Sequence, residues 1–128
     1  GYMISKDKSN CAIFVNYHKE DNITHTTMYE DKFIDKSKFE WLSKSKRTLE
    51  SPDVLCIGNT EKKIRLPLFI KKSNDEGKEF YYMGDVTPIE GSNTQEKMPN
   101  SNVSVVKFIF SMDQPVEDRI YYYITNTF

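Results

Sequence analysis

The sequence predicts a mainly β fold of the α+β type: a partly closed barrel or sandwich of about seven strands with one or two short helices. Three observations predict it. Apolar residues alternate with period two in several segments, most clearly Ile64, Leu66, Leu68 and Ile70. Turn signals built on Gly, Pro, Asn and Asp recur every ~8–12 residues. Hydrophobic residues are only 38% of the 128, but 8 Phe, 8 Tyr and 1 Trp supply enough apolar area for a core. The length suits one domain. Residues 1–10 read as a linker or tag remnant and residues 11–128 as one domain. The first residue is Gly rather than Met, so the chain reads as a piece cut from a larger protein.

The elements follow in order. Cys11–Tyr17 alternates Ile13, Val15 and Tyr17 against Phe14 and Asn16, a strand pattern. His18–His25 is a polar connection, and Thr26–Phe33 is β-prone. Asp35 is placed to cap a short helix over Lys36–Leu42, on which Phe39 and Leu42 would share a face and Trp41 would point elsewhere. Ser51-Pro52-Asp53 is a turn. Lys63–Lys72 is a strand, with Pro67 at an edge or bulge because it cannot donate a ladder bond. Ser73-Asn74-Asp75-Glu76-Gly77 is a hairpin-type loop, and Phe80–Val86 a strand ending at Gly84. Pro88–Asn102, rich in Gly, Pro, Ser and Asn, is a long loop. Val103–Phe110 and Ile120–Thr125 are the last strands, joined through Asp113-Gln114-Pro115.

Eighteen basic residues against 19 acidic give a net charge of −1. A bulk polycation is excluded, so any nucleic-acid contact must come from local patches. Two exist. Lys36–Arg47 carries five cations against Glu40 alone, and Glu61–Lys72 carries five against Glu61 alone. The first also holds Trp41, Ser43, Ser45 and Thr48, the mixture of cations, hydroxyls and an aromatic that contact with phosphates and bases needs. No apolar run reaches the ~18 residues of a membrane span, so no membrane is expected. Cys11 and Cys56 sit among apolar neighbours and match no zinc or redox spacing, which makes them small buried thiols.

Catalytic patterns are thin. Pro52-Asp53 with Glu61-Lys62-Lys63 superficially matches a metal-nuclease site, but E-x-K recurs at Glu76-Gly77-Lys78, as expected in so lysine-rich a chain. Cys56 lacks a glycine-rich nucleophile turn, and the five glycines form no phosphate loop. No catalytic residue, metal or cofactor is expected.

One segment carries a resemblance. Tyr29-Glu30-Asp31-Lys32-Phe33-Ile34, Phe39-Glu40-Trp41-Leu42-Ser43 and Glu50-Ser51-Pro52 match a Y-x-D-x-F-I…F-x-W-x-S…E-S-P pattern. Leu68-Phe69-Ile70-Lys71, Tyr82-Met83-Gly84-Asp85-Val86, Gly91 and Pro99 follow in the same order. The chain thereby resembles, from about Cys11 to Pro115, a bacterial C-terminal domain family long described as of unknown function. That family follows a phospholipase-D-type nuclease and a DEAD-like helicase in restriction-type proteins. The resemblance extends to the SRA-like readers of modified cytosine in type IV restriction enzymes. Three departures stand out: Lys44 where Gln is usual, Lys71 for Arg, and Phe108 and Phe110 where Trp is frequent.

The resemblance implies an SRA/PUA-like barrel in a bacterial cytoplasm. It implies a non-enzymatic reader of double-stranded DNA carrying 5-methylcytosine or 5-hydroxymethylcytosine, with helicase and nuclease domains of the same parent chain as its other partners. A lone methyl contact adds only ~0.8 kcal/mol, so discrimination calls for a pocket around an extruded base. Asp31 is then the acceptor for the exocyclic amine, and Tyr29 and Trp41 the stacking walls. Ser43 would hydrogen-bond in the pocket. Lys44, Ser45, Lys46, Arg47 and Lys71 would hold the DNA backbone. The competing reading is a docking or assembly domain of a helicase-nuclease, with its aromatics buried and no methyl preference.

Overall fold

The computed structural model describes residues 1–18, 31–59, 61–73, 79–98 and 101–126. Eight strands form one sheet: β1 (Tyr2–Ile4), β2 (Cys11–His18), β3 (Lys32–Asp35), β4 (Lys38–Leu42), β5 (Leu66–Ser73), β6 (Tyr81–Pro88), β7 (Thr94–Lys97) and β8 (Ser104–Met112). Two short helices join them, α1 (Pro52–Ile57) and α2 (Asp118–Thr125). The order across the sheet is β1-β2-β5-β6-β8-β4-β3, with β7 also paired to β8. All pairs are antiparallel except β2 with β5, where Ile13 stands beside Leu68 and Val15 beside Ile70. The fold is mainly β and partly open, in keeping with the class the sequence predicts.

Period-two alternation builds the core. Cys11, Ile13 and Val15 of β2, Leu66, Leu68 and Ile70 of β5, and Val106, Phe108, Phe110 and Met112 of β8 all point inward. β8 is the hub: β4 runs along Lys107–Ser111, while β6 takes Phe110–Met112 and β7 takes Ser104–Lys107. The sheet curls until its two ends meet through side chains. The Tyr17 hydroxyl of β2 accepts the Phe33 N–H of β3 at 3.1 Å, and the Tyr2 hydroxyl of β1 accepts the Lys44 N–H at 3.3 Å. The rings of Tyr2 and Trp41 meet edge to face at 5.0 Å.

Several local expectations are corrected. Residues 1–10, read as a remnant, supply β1 and the core side chain Tyr2. Lys36–Leu42 is not a helix. Asp35 does cap, but it accepts the Ser37 N–H at 2.7 Å in a hairpin turn, and the chain leaves as β4. Phe39 and Trp41 therefore share the buried face, as strand periodicity demands. Ser51-Pro52-Asp53 opens α1, with Pro52 in the first turn where its missing N–H costs nothing. Gly84 does not end β6, which runs on to Pro88. It sits at a φ of +98° where the register against β5 slips, so that Met83 and Gly84 together oppose Leu68. Pro67 borders that irregularity, where no ladder donor is needed. The long loop after Pro88 contains β7. Ile120–Thr125 lies in α2 rather than a strand: Ile120 and Ile124 pack inward at i, i+4, and that spacing overrides the β preference of three tyrosines. No helix among the described residues is long and apolar enough to cross a membrane.

Candidate nucleic-acid interface

The segment leaving β4 begins at Ser43, 8% exposed. Its N–H donates to the Val106 carbonyl at 2.9 Å, as the ladder would continue. The Val106 N–H then donates to the Ser43 hydroxyl, also at 2.9 Å, so a side-chain oxygen stands in for a backbone carbonyl that the chain has turned away. That hydroxyl in turn donates to the Lys44 carbonyl. Beyond it Lys44, Ser45 and Lys46 are exposed. The Lys46 N–H donates to the Ser104 carbonyl at 2.8 Å, and Lys46 adopts a left-handed φ of +64°. A lysine held in that region is strained, and the bonds on either side hold it there.

A polar clamp fixes the base of this loop. Arg47 Nε donates to Asp53 Oδ2 at 2.8 Å, and the Tyr2 hydroxyl donates to the same oxygen at 2.5 Å. Lys44 Nζ lies 4.5 Å above the Tyr2 ring. Burial, aided by the bond to Asp53, pushes the Tyr2 hydroxyl up to about 12. Burial would raise Asp53 too, but the bonds from Tyr2 and Arg47 outweigh it and hold the carboxyl below its ordinary value. The ion pair with Asp53 offsets the charge of Arg47, which leaves Lys44 and Lys46 as the exposed cations of the loop.

Among the described residues, Asp31, Trp41 and Ser43 are engaged by the fold itself. Tyr29 lies outside the described residues. Asp31 Oδ1 accepts the Leu42 N–H at 2.9 Å and ties the start of β3 to the end of β4. Trp41 is 2% exposed, packed against Phe110 at 5.4 Å and Phe108 at 5.6 Å, so no ring face is open to a base. Ser43 is engaged by β8. These three serve the fold and the loop beside it. Of the expected backbone contacts, Lys44, Ser45, Lys46 and Arg47 come together. Lys71 does not join them: it lies on β5 with Nζ 5.6 Å from the centre of the Phe80 ring. Lys36, at the start of the first basic stretch, is paired with Asp118 at 2.6 Å.

Next to the loop lies a cleft of about 360 Å³, lined by Leu49, Val54, Leu55, Gly58, Asn59, Glu61 and Asn93. Leu49 follows the first basic stretch and Glu61 opens the second, so the fold brings the ends of both stretches to one opening. Sequence reading missed this cleft. Its members come from loops, a six-residue helix and the residue before β7, and Glu61 alone among them belongs to a pattern the sequence offered, the E-x-K of the superficial metal-nuclease match. A second groove, about 220 Å³, holds Lys63, Arg65, Asp85 and Asp113. Arg65 and Asp85 pair there at 2.8 Å and neutralise each other. No group of His, Cys, Asp or Glu among the described residues is arranged to hold a metal ion.

Two comparisons bear on identity. No curated protein matches the chain. A family model described as a domain of unknown function, DUF3427, matches residues 1–124, nearly all of the 128. The match begins just before β1 and ends within the last turn of α2, so it takes in the sheet, the cationic loop and the cleft, and the chain belongs to the DUF3427 family.

Proposed function

We propose that this domain is the DNA-reading module of a modification-dependent restriction enzyme. It binds duplex DNA bearing 5-methylcytosine or 5-hydroxymethylcytosine and takes the base out of the stack. Cleavage and ATP-driven movement belong to nuclease and helicase domains of a bacterial, cytoplasmic parent chain. The sequence resemblance behind the reading is to the C-terminal reader of the staphylococcal type IV restriction enzyme SauUSI.

The observation that carries the reading is the cationic loop. Lys44 and Lys46 project from a segment pinned at Ser43, at the Lys46 N–H and by the Arg47–Asp53 ion pair. A pinned loop loses little conformational freedom when phosphates dock, whereas scattered lysines must each be ordered. The open cleft beside it offers a place for something other than phosphate.

A docking role has one observation in its favour. On the outer face, Phe14 is 39% and Tyr82 51% exposed, with Phe69 and Phe80 between them. Phe14 and Phe69 are cross-strand neighbours whose near-parallel rings are 5.1 Å apart, close to the strand spacing. Such rings stand upright with their edges outward, which suits a protein surface better than a stacked base.

The test is a binding titration at about 150 mM salt, where non-specific phosphate contacts are weakened. One duplex carries cytosine, 5-methylcytosine or 5-hydroxymethylcytosine at a single site. A preference of about tenfold or more for a modified base supports the reader. Replacing Lys44 and Lys46 by Ala should weaken all duplexes alike and lower the salt slope by about 1 per lysine. Equal, weak binding to every duplex would refute the reader and leave the docking role.

A further inference from the structure

The solvent side of the sheet's centre breaks the alternation that its strands otherwise keep. A sheet with one buried face carries polar residues on the other. Here Phe14 of β2, Phe69 of β5 and Tyr82 of β6 stand side by side in register. They lie on the face opposite the buried Ile13, Leu68 and Met83. Phe80 meets Phe14 edge to face at 5.4 Å. Met3 pairs with Ala12, two residues before Phe14 on the same face, and is 76% exposed. Large apolar side chains gathered in this way mark a contact surface.

The charges around this row are ordered. Lys71 follows Phe69 by two residues along β5, with its Nζ 5.6 Å from the centre of the Phe80 ring. Asp85 lies on the opposite side of the row, beside Pro67. It accepts from Arg65 Nε at 2.8 Å and from the Tyr82 hydroxyl at 2.7 Å, which uses two of the about four acceptor sites of a carboxylate. Positions 67 and 71 are ~13 Å apart at ~3.3 Å per residue, with Phe69 midway. A face with an anion and a cation at equal distances from its centre complements itself when turned end for end.

We infer that this face binds a second copy of the chain, about a two-fold axis lying along the row Phe14, Phe69 and Tyr82. Each of the three rings then meets its own counterpart, and Lys71 of each copy meets Asp85 of the other. A two-fold axis along the strands would instead set Lys71 against Lys71. Two-fold pairs are the commonest oligomers, and their interfaces are self-complementary in this sense. A polyanion suits the face less well, because Arg65 is already paired with Asp85. The exposed parts of Phe14, Tyr82 and Met3 come to roughly 300 Å², at about 200 Å² per large side chain. With its polar rim the interface approaches the ~600 Å² per partner of weak complexes, so pairing depends on concentration. The inference does not depend on the DNA-reading function.

Sedimentation of the whole chain at about 150 mM salt tests it, at a Debye length of about 8 Å. Between about 10 μM and about 1 mM the mass should rise from 15.0 kDa towards twice that value. Phe14→Lys sets like charges against each other on the axis. It should raise the dissociation constant by about tenfold or more, with the far-UV circular dichroism spectrum unchanged. Lys71→Glu alone and Asp85→Lys alone should each weaken pairing by about fivefold, because each brings like charges together across the axis. Mixed in equal amounts, these two variants should pair at least as tightly as the wild type, since both cross-axis contacts then join opposite charges. A chain that stays at 15.0 kDa throughout overturns the inference and leaves the face to a different protein. So does a dimer that Phe14→Lys leaves intact, because another surface then holds it. A mixture as weak as its components overturns the two-fold arrangement and the inference with it.

Discussion

Replacing Ser43 by Ala should cost far more than its single oxygen suggests. The Val106 N–H, on a residue with no exposed surface, has the Ser43 hydroxyl as its acceptor. Water cannot reach it once the hydroxyl is gone, so the donor stays unpaired at a cost of about 1–3 kcal/mol. The second bond lost, to the Lys44 carbonyl, sits at the start of the exposed loop and adds little. Unfolding entropy of about 2.1 cal/mol/K per residue gives this 128-residue chain about 0.27 kcal/mol/K near its midpoint. The melting temperature should therefore fall by about 4–11 °C. Circular dichroism melts measure this, with Ser45→Ala as the exposed control that should not move. Urea titration should show a lower midpoint at unchanged slope. Amide exchange at Val106 should accelerate in Ser43→Ala. A melting temperature within about 1 °C of wild type would refute the reasoning, because the Val106 N–H would then have found another acceptor or water.

Three further outcomes follow from the same geometry. Trp41 should be shielded from acrylamide, and its emission should not change when DNA binds, since no base stacks on it; Trp41→Ala should lose about 3–5 kcal/mol as a core cavity, seen as a large drop in melting temperature. The clamp predicts two pH limbs in urea midpoint. The lowered Asp53 contributes stability that is present above the unfolded carboxylate value of about 3.9 and is lost as pH falls through its folded value. The raised Tyr2 contributes stability that is full below 10.0 and is lost as pH climbs towards about 12; Asp53→Asn should flatten the acid limb and Tyr2→Phe the alkaline one. Gly58→Ala, at an ordinary φ of −84°, should lower the melting temperature, because its Cβ would lie 2.9 Å from Asn93 Nδ2, 3.3 Å from the Val54 carbonyl and 3.4 Å from the buried Phe108 ring; a melt within about 1 °C of wild type would show that these neighbours give way freely.

What could be read from the sequence, and what could not, divides along physical lines. β2, β5 and β8 were legible because burial on one face writes itself as alternation. Lys36–Leu42 was misread because an Asx turn and a helix N-cap use the same aspartate, and only the pairing with β8 decides between them. The three consecutive tyrosines suggested a strand, yet Ile120 and Ile124 carry the packing. At the site, exposed charge was legible: Lys44, Lys46 and Arg47 sit together on the surface as their neighbours in sequence suggested. Polar groups at the end of a strand were not. Asp31 and Ser43 have the chemistry of ligand contacts but are used by the Leu42 and Val106 backbones, and no local pattern distinguishes the two uses.

The meeting of the sheet's two ends has a dynamic consequence. Among the described residues, the Tyr2 and Tyr17 hydroxyls each accept a backbone N–H across this seam, and their rings pack against Trp41 and Phe33. Each such bond contributes only about 1 kcal/mol, well below the ~5–15 kcal/mol of global stability, so this seam can open sub-globally while the rest of the sheet stays paired. The amides of Phe33 and Lys44 exchange through that opening, ahead of those in β5. Lys44 is also the first residue of the cationic loop, so its placement and the closure of the seam form one equilibrium. A ligand that grips the loop draws the ends together, and the slowing of exchange at Phe33, remote from any phosphate, reads out the grip.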